Sequence, residues 1–122
     1  MANCNVCIAG YDGDAAAFYD ARMVRARKMH RCYDCGNEIA VGAMYERISG
    51  KWDQEVSSYT ICALCSEIGE AFSCDGSRTF GNLWETIEEF FDEFTTGCLD
   101  KLTTAAAKQK VMDRWQRWKK LA

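Results

Sequence analysis

The chain of 122 residues contains no proline and a single histidine, His30. A Ser/His/Asp catalytic set would have to use that one imidazole, and a zinc nuclease centre needs more than one histidine at its metal. The sequence also has no GxSxG motif and no glycine-rich phosphate loop. We therefore predict that the protein is not an enzyme and that it has no catalytic residues.

The sequence also lacks a signal peptide and any apolar run that approaches the length of a membrane span. We therefore expect a cytoplasmic protein with no membrane partner. Thiols stay reduced in that compartment, so the CxxC pairs are expected to bind metal rather than to form a disulfide framework. Cys98, which lies outside these pairs, is expected to be a small core residue. Hydrophobic residues make up 48% of the chain, enough for a core, and the net charge of -3 argues against nonspecific coating of nucleic acid.

The strongest pattern in the chain is a pair of CxxC motifs, which are separated by residues 36–61. Each CxxC brings two sulfurs close enough to share one tetrahedral metal, and two of them complete a shell with no open position. We predict a structural zinc site, and an iron–sulfur cluster or free thiols are the alternatives. The four predicted ligands are Cys32, Cys35, Cys62 and Cys65.

The segments around these motifs predict an α+β fold with a treble-clef-like zinc domain. Residues 43–49 and 54–61 read as a β-hairpin with its turn at residues 50–53, and residues 62–72 read as a helix that carries the last two ligands. The order of knuckle, hairpin and ligand-bearing helix is that of a treble clef.

Three further helices are predicted outside this unit. Asp14 is a candidate N-cap for a helix over residues 15–24. An amphipathic helix is expected over residues 82–94 and a second one over residues 99–121, and the short connection implies that these two pack antiparallel. We divide the chain into a zinc-binding module, residues 1–78, and a C-terminal helical hairpin, residues 79–122.

A third CxxC motif predicts a second zinc site, so that one or two zinc ions per chain are expected. The first site would bring His30, just before the first knuckle, close to Cys74, at the end of the following helix. Two alternatives remain open: the N-terminal pair binds no metal, or Cys98 replaces His30 or Cys74. The predicted ligands are Cys4, Cys7, His30 and Cys74.

Charged residues and large aromatics mark candidate surfaces for a partner. Nucleic acid is one candidate, because the basic cluster over residues 22–31 and exposed aromatics could contact phosphates and bases. A protein partner is the other candidate. The predicted partner-binding residues are Trp52 at the hairpin turn and, on the two C-terminal helices, Glu85, Glu88, Glu89, Asp92, Glu93, Arg114 and Arg117.

Several motifs in order resemble a group of small, mostly uncharacterised zinc-binding proteins encoded by bacteriophages and prophages. The resemblance covers about residues 4–90 and is carried by residues 26–36, 42–46, 49–53, 60–65, 72–76 and 81–85. In that group a histidine and a later cysteine recur with the CxxC pairs, which implies the second site at His30 and Cys74.

The resemblance also implies a location and a role. It places the protein in the cytoplasm of a bacterial host, as an accessory protein that binds a host protein or a protein–nucleic acid complex. Inhibition of a defence system such as CRISPR–Cas is one form of this role, and there the acidic residues over 85–93 would imitate DNA phosphates. A nucleic-acid-binding regulator is the alternative function.

Overall fold

The computed structural model describes residues 4, 6–7, 18–52, 55–73 and 81–121, with the side chains at positions 18, 19, 51 and 52 left out. It confirms an α+β fold. The described elements, in chain order, are β1 (Phe18–Arg25), β2 (His30–Arg31), β3 (Glu38–Ile39), β4 (Met44–Trp52), β5 (Glu55–Cys62), α1 (Ala63–Phe72), α2 (Leu83–Glu88), α3 (Thr96–Leu99) and α4 (Ala105–Leu121).

The main sheet has three antiparallel strands in the order β1-β4-β5, and β2 and β3 form a separate two-stranded ribbon. The prediction of a helix over residues 15–24 is wrong for the described part of that segment, since residues 18–25 are strand β1. β1 pairs with β4 from Phe18↔Lys51 to Arg25↔Met44. Pairing with β4, a strand outside the window of local sequence, outweighs a local helical preference that was only weakly periodic.

The predicted hairpin is present, but its strands run further than expected. Gly50 and Lys51, which were assigned to the turn, continue β4 and face Ser57 and Val56 of β5. The connection shrinks to residues 53–54, which lie outside the described residues. The ends of β4 and β5 are therefore determined by the pairing between these strands rather than by Gly50 alone.

Helix α1 follows β5 directly, as predicted, and its apolar side packs into the core. Ile68 and Phe72 on α1 are fully buried, as are Ile48 on β4 and Ile61 on β5. Strand residues alternate between the two faces of a sheet, and the opposite face of β4 carries the buried Tyr45 and the exposed Arg47.

The two predicted C-terminal helices are shorter than expected. The helix over residues 82–94 ends at Glu88. Beyond it, the amide of Phe91 bonds the carbonyl of Glu88 and the amide of Phe94 bonds that of Phe91, which are tighter bonds of the i→i−3 type. This winding still buries both rings. The second predicted helix is divided into α3 and α4, with residues 100–104 between them.

Hydrogen bonds and close packing join the predicted zinc module to the C-terminal helices. Asp34 Oδ1 accepts a hydrogen bond of 2.6 Å from the amide of Gly81, just before α2. Gly81 has a φ of 92°, and a Cβ there would lie 2.6 Å from the ring of Tyr33. Glu67 on α1 accepts hydrogen bonds from the amides of Thr103 and Thr104 at the start of α4. Elements on both sides of residue 79 thus contribute to one buried cluster.

Candidate metal centre

Two short segments place the four sulfurs. Cys32 and Cys35 lie in the turn after β2, where Gly36 has a φ of 76° that favours glycine. Cys62 ends β5 and is the N-cap residue of α1, and Cys65 lies in the first turn of that helix. The segment before the knuckle is fixed to β5, because the Thr60 hydroxyl donates to the carbonyl of Arg31 at 2.6 Å.

Both CxxC motifs adopt the same local geometry. The amide of Cys35 donates to Cys32 Sγ at 3.4 Å, and the amide of Cys65 donates to Cys62 Sγ at 3.4 Å. Such N–H···S bonds favour the thiolate form of the accepting sulfur, which is the form that binds metal. The local backbone therefore prepares one sulfur of each pair as a ligand.

The four sulfurs fit a single tetrahedral ion. All of them lie within 4.8 Å of one another, and Cys35 Sγ is 3.8 Å from Cys62 Sγ. Zn–S bonds of about 2.3 Å in a regular tetrahedron place neighbouring sulfurs about 3.8 Å apart. Cys32 and Cys65 are buried and the other two are half-buried, so that the polypeptide encloses the centre.

Crowding of the four thiols changes their acidity. The contact with Cys35 raises the pKa of Cys32, but the contacts with Cys62 and Cys65 outweigh it and lower that pKa to about 6. Hydrogen bonds from the other three thiols lower the pKa of Cys35. The same contacts raise the pKa of Cys65, and Cys32 and Cys35 raise that of Cys62. Without a cation the cluster cannot ionise completely, because adjacent thiolates repel one another.

The arrangement can hold one metal ion such as zinc, and four sulfurs would leave no coordination position for water or substrate. This agrees with the ligand set predicted from the sequence. Within the described residues no other group of three or more cysteine, histidine or carboxylate side chains is placed to bind an ion.

Two predicted ligands of the second metal site, Cys4 and Cys7, form disulfides in the structure. Cys4 forms a disulfide with Cys98, with Cα atoms 4.9 Å apart, and Cys7 is disulfide-bonded as well. A sulfur in a disulfide is not a thiolate ligand. The expectation of reduced cysteines is wrong for Cys4, Cys7 and Cys98. The fold brings Cys4 and Cys98 within the Cα distance at which disulfides form.

The two other predicted ligands of that site are His30 and Cys74. The ring of His30 lies 4.8 Å from the ring of Tyr45, in a cleft on the sheet. Cys74 lies outside the described residues. Sequence reasoning assigned Cys98 chiefly to the core, and it is indeed buried. Its disulfide partner lies 94 positions away, and no local pattern reveals such a pairing.

The predicted partner-binding residues do not form one helix face. Glu88 and Arg114 bind each other at 3.3 Å, and the Arg114 guanidinium lies 4.7 Å from the centre of the Trp84 ring. These two residues therefore join α2 to α4. Trp52 ends β4, and its side chain lies outside the described part. The remaining five are exposed: Glu85, Glu89, Asp92, Glu93 and Arg117.

No helix in the described ranges combines the length and the apolar character that crossing a membrane requires. Comparisons of the chain with family models, with curated proteins and with solved structures gave no match.

Proposed function

We propose that this chain is a non-catalytic binding module whose structure depends on a bound zinc ion. The observation that carries the proposal is the enclosed four-sulfur cluster, whose sulfurs lie within 4.8 Å of one another. Zinc suits it because zinc accepts tetrahedral thiolate ligation without a geometric penalty from its d-electrons. The order of knuckle, β4–β5 hairpin and α1 supports a treble-clef assignment for this part of the chain.

The proposed partner is a bacterial host protein, in keeping with the resemblance to phage-encoded zinc proteins. The proposed binding surface for a basic partner consists of four exposed acidic residues: Glu85, Glu89, Asp92 and Glu93. They lie on α2 and the turns after it, and among the described residues no hydrogen bond or ion pair engages their side chains. Complementary charge at such a surface speeds association and selects the partner. Inhibition of a defence nuclease through imitation of DNA phosphates is the specific form that we propose for this interaction.

The test is capture from bacterial lysate with the zinc-loaded chain as bait. A matched pair of variants carries the comparison. In one, Glu85, Glu89, Asp92 and Glu93 are changed to lysine. In the other, Glu38, Glu55, Asp100 and Asp113, which are exposed elsewhere, are changed to lysine.

A partner that binds the wild type and the second variant but not the first supports the proposal. Equal binding by both variants would assign recognition to another surface. Inhibition of a nuclease that survives reversal of the four acids would rule out phosphate imitation.

A further inference from the structure

A cleft of about 940 Å³ opens on the sheet, beside the segment that joins β1 to β2. Val24 and Tyr45, which are partners in the β1–β4 register, both line it. Because strand residues alternate between faces, this is the face opposite to that of the buried Ile48. The floor of the cleft includes the buried Ala26 and Tyr45, and its rim carries exposed charged side chains.

The charged groups in the cleft are all basic. Four cations line it, Arg25, Arg27, Lys28 and Arg47, and no carboxylate is among the lining residues. The Arg25 guanidinium donates to the carbonyl of Gly42 at 2.8 Å, which fixes the group without neutralising its charge. Arg27, Lys28 and Arg47 are exposed, and none of them has an ion pair or a hydrogen-bonded acceptor in the described part of the chain.

A neighbouring arginine outside the cleft differs from these cations because it has a carboxylate partner. Arg22 lies opposite Arg47 in the β1–β4 register, and its guanidinium binds Asp20 at 2.8 Å. Like charges on facing strands destabilise a sheet, and the carboxylate relieves that repulsion for Arg22. No described carboxylate gives Arg27, Lys28 or Arg47 such relief, although the whole chain carries a net charge of -3. An anionic ligand in the cleft would supply the missing counter-charge.

We propose that this cleft binds the phosphate backbone of a single-stranded nucleic acid. The cations come from both sides, since Arg27 and Lys28 lie on the β1–β2 connection and Arg47 lies on β4. Cations on two sides of a concave site can contact successive phosphates of a single nucleic-acid strand. The half-buried ring of His30, tilted against Tyr45, adds a flat group on which an unstacked base can rest. This site goes beyond the proposed function and shares no residue with the four exposed acids.

The proposal sets an expected salt dependence. Three or four phosphate contacts to a single strand give a slope of log affinity against log salt of about -2 to -3. The measurement is fluorescence anisotropy of a labelled RNA or DNA strand of about 12 nucleotides, a length within the range of known single-strand sites. The titration is repeated between about 20 and 200 mM salt, where the electrostatic contribution changes most. The zinc-loaded full chain is the protein used.

The decisive variant is Arg27→Glu combined with Arg47→Glu. We expect it to weaken binding by at least about tenfold and, through the loss of two contacts, to reduce the slope by about 1.4. The matched control, Lys101→Glu with Lys120→Glu, makes the same change in net charge at exposed positions beside and on α4 and should bind like the wild type. Arg27→Lys with Arg47→Lys keeps the charges and should retain most of the affinity. Circular dichroism and zinc content verify that each variant is folded.

Several results would overturn the assignment. Absence of binding by the folded wild type at the lowest salt would do so, as would equal losses in the cleft variant and the α4 control. Tighter binding of a duplex than of the single strand would point to a double helix as the ligand. If inorganic pyrophosphate displaces the nucleic-acid strand at an equal concentration of phosphate groups, the ligand of the cleft is instead a small phosphate compound.

Discussion

The β-rich half and the helical half of this protein are each stabilised by a different kind of interaction. The first, from β2 to α1, is centred on four sulfurs that lie within 4.8 Å of one another. The second, from α2 to α4, is centred on aromatic rings, with Phe94 lying 5.4 Å from Phe91 and 4.8 Å from Trp115. The sulfur cluster requires a cation to ionise fully, whereas the rings require only burial. The two halves should therefore respond differently to loss of metal and to loss of packing.

Removal of the metal should have the largest effect. Structural zinc contributes about 10–16 kcal/mol of apparent binding free energy, which equals or exceeds the whole stability of a typical small domain. We expect chelation, or Cys65→Ser, to unfold residues 18–72. Far-UV circular dichroism and thermal melting measure the change, with metal content determined in parallel. A verified metal-free chain with an unchanged melting point would show that the sulfur cluster is not the stabilising centre.

Loss of the Cys4–Cys98 disulfide should come next. A crosslink that closes a loop of this length stabilises the native state by about 4–5 kcal/mol in the chain-entropy description. We expect Cys98→Ser to lower the free energy of unfolding by up to about that amount without reductant, and by much less in a phosphine reductant. Denaturant titration in both buffers measures the difference.

The same variant also tests the metal count. If Cys98→Ser lowers bound zinc from two ions to one in reducing buffer, these sulfurs bind metal when they are reduced, and the disulfide is the oxidised form of a second site. If the count stays at one, the centre at Cys32 to Cys65 is the single zinc site.

Truncation in the aromatic cluster should destabilise the helical half with the metal still bound. Phe91 is 1% exposed, and Phe91→Ala should cost about 3–5 kcal/mol through lost burial and the cavity that remains. Denaturation followed by Trp fluorescence measures the change, and zinc content should stay at the wild-type value. A matched change at the half-buried Phe90 should cost less. Loss of zinc together with the fold would show that the two halves unfold as one unit.

The smallest effect is expected at Glu67. Burial raises the pKa of this carboxylate, but hydrogen bonds from Thr104 and Thr103 outweigh it and lower the pKa below the usual 4.5. Glu67→Gln should cost about 0.5–1 kcal/mol at pH 7, a modest value because the group is largely exposed. A lowered folded-state pKa stabilises the protein above the unfolded-state pKa, and that contribution fades as the pH falls through the folded value.

The difference between wild type and Glu67→Gln should therefore be full at neutral pH and shrink below about pH 4.5. Denaturant titration of both proteins at each pH tests this. Glu85→Gln, at an exposed position on α2, is the control and should show no such trend. A constant difference across the range would mean that the glutamate acts through its shape rather than its charge.

Local sequence predicted the parts that depend on short spacings. The CxxC motifs at Cys32 and Cys62 identified all four sulfurs of the cluster, because two cysteines three positions apart can reach one ion. Helix α1 and the β4–β5 hairpin were predicted for similar reasons, since apolar periodicity and a short connection are local properties. The apolar stripe of residues 83–94 also identified buried side chains correctly, although the helix itself ends at Glu88.

Tertiary structure decided the rest. Residues 18–25 form a strand because β4 supplies a hydrogen-bonding partner along its whole length, which a sequence window over those residues cannot contain. The pairing of Cys4 with Cys98 and the gathering of Arg27, Lys28 and Arg47 around one cleft have the same origin. The spacing of metal-binding cysteines is determined by a few adjacent residues. Contacts between distant segments exist only once the chain has packed, and packing is a property of the whole sequence.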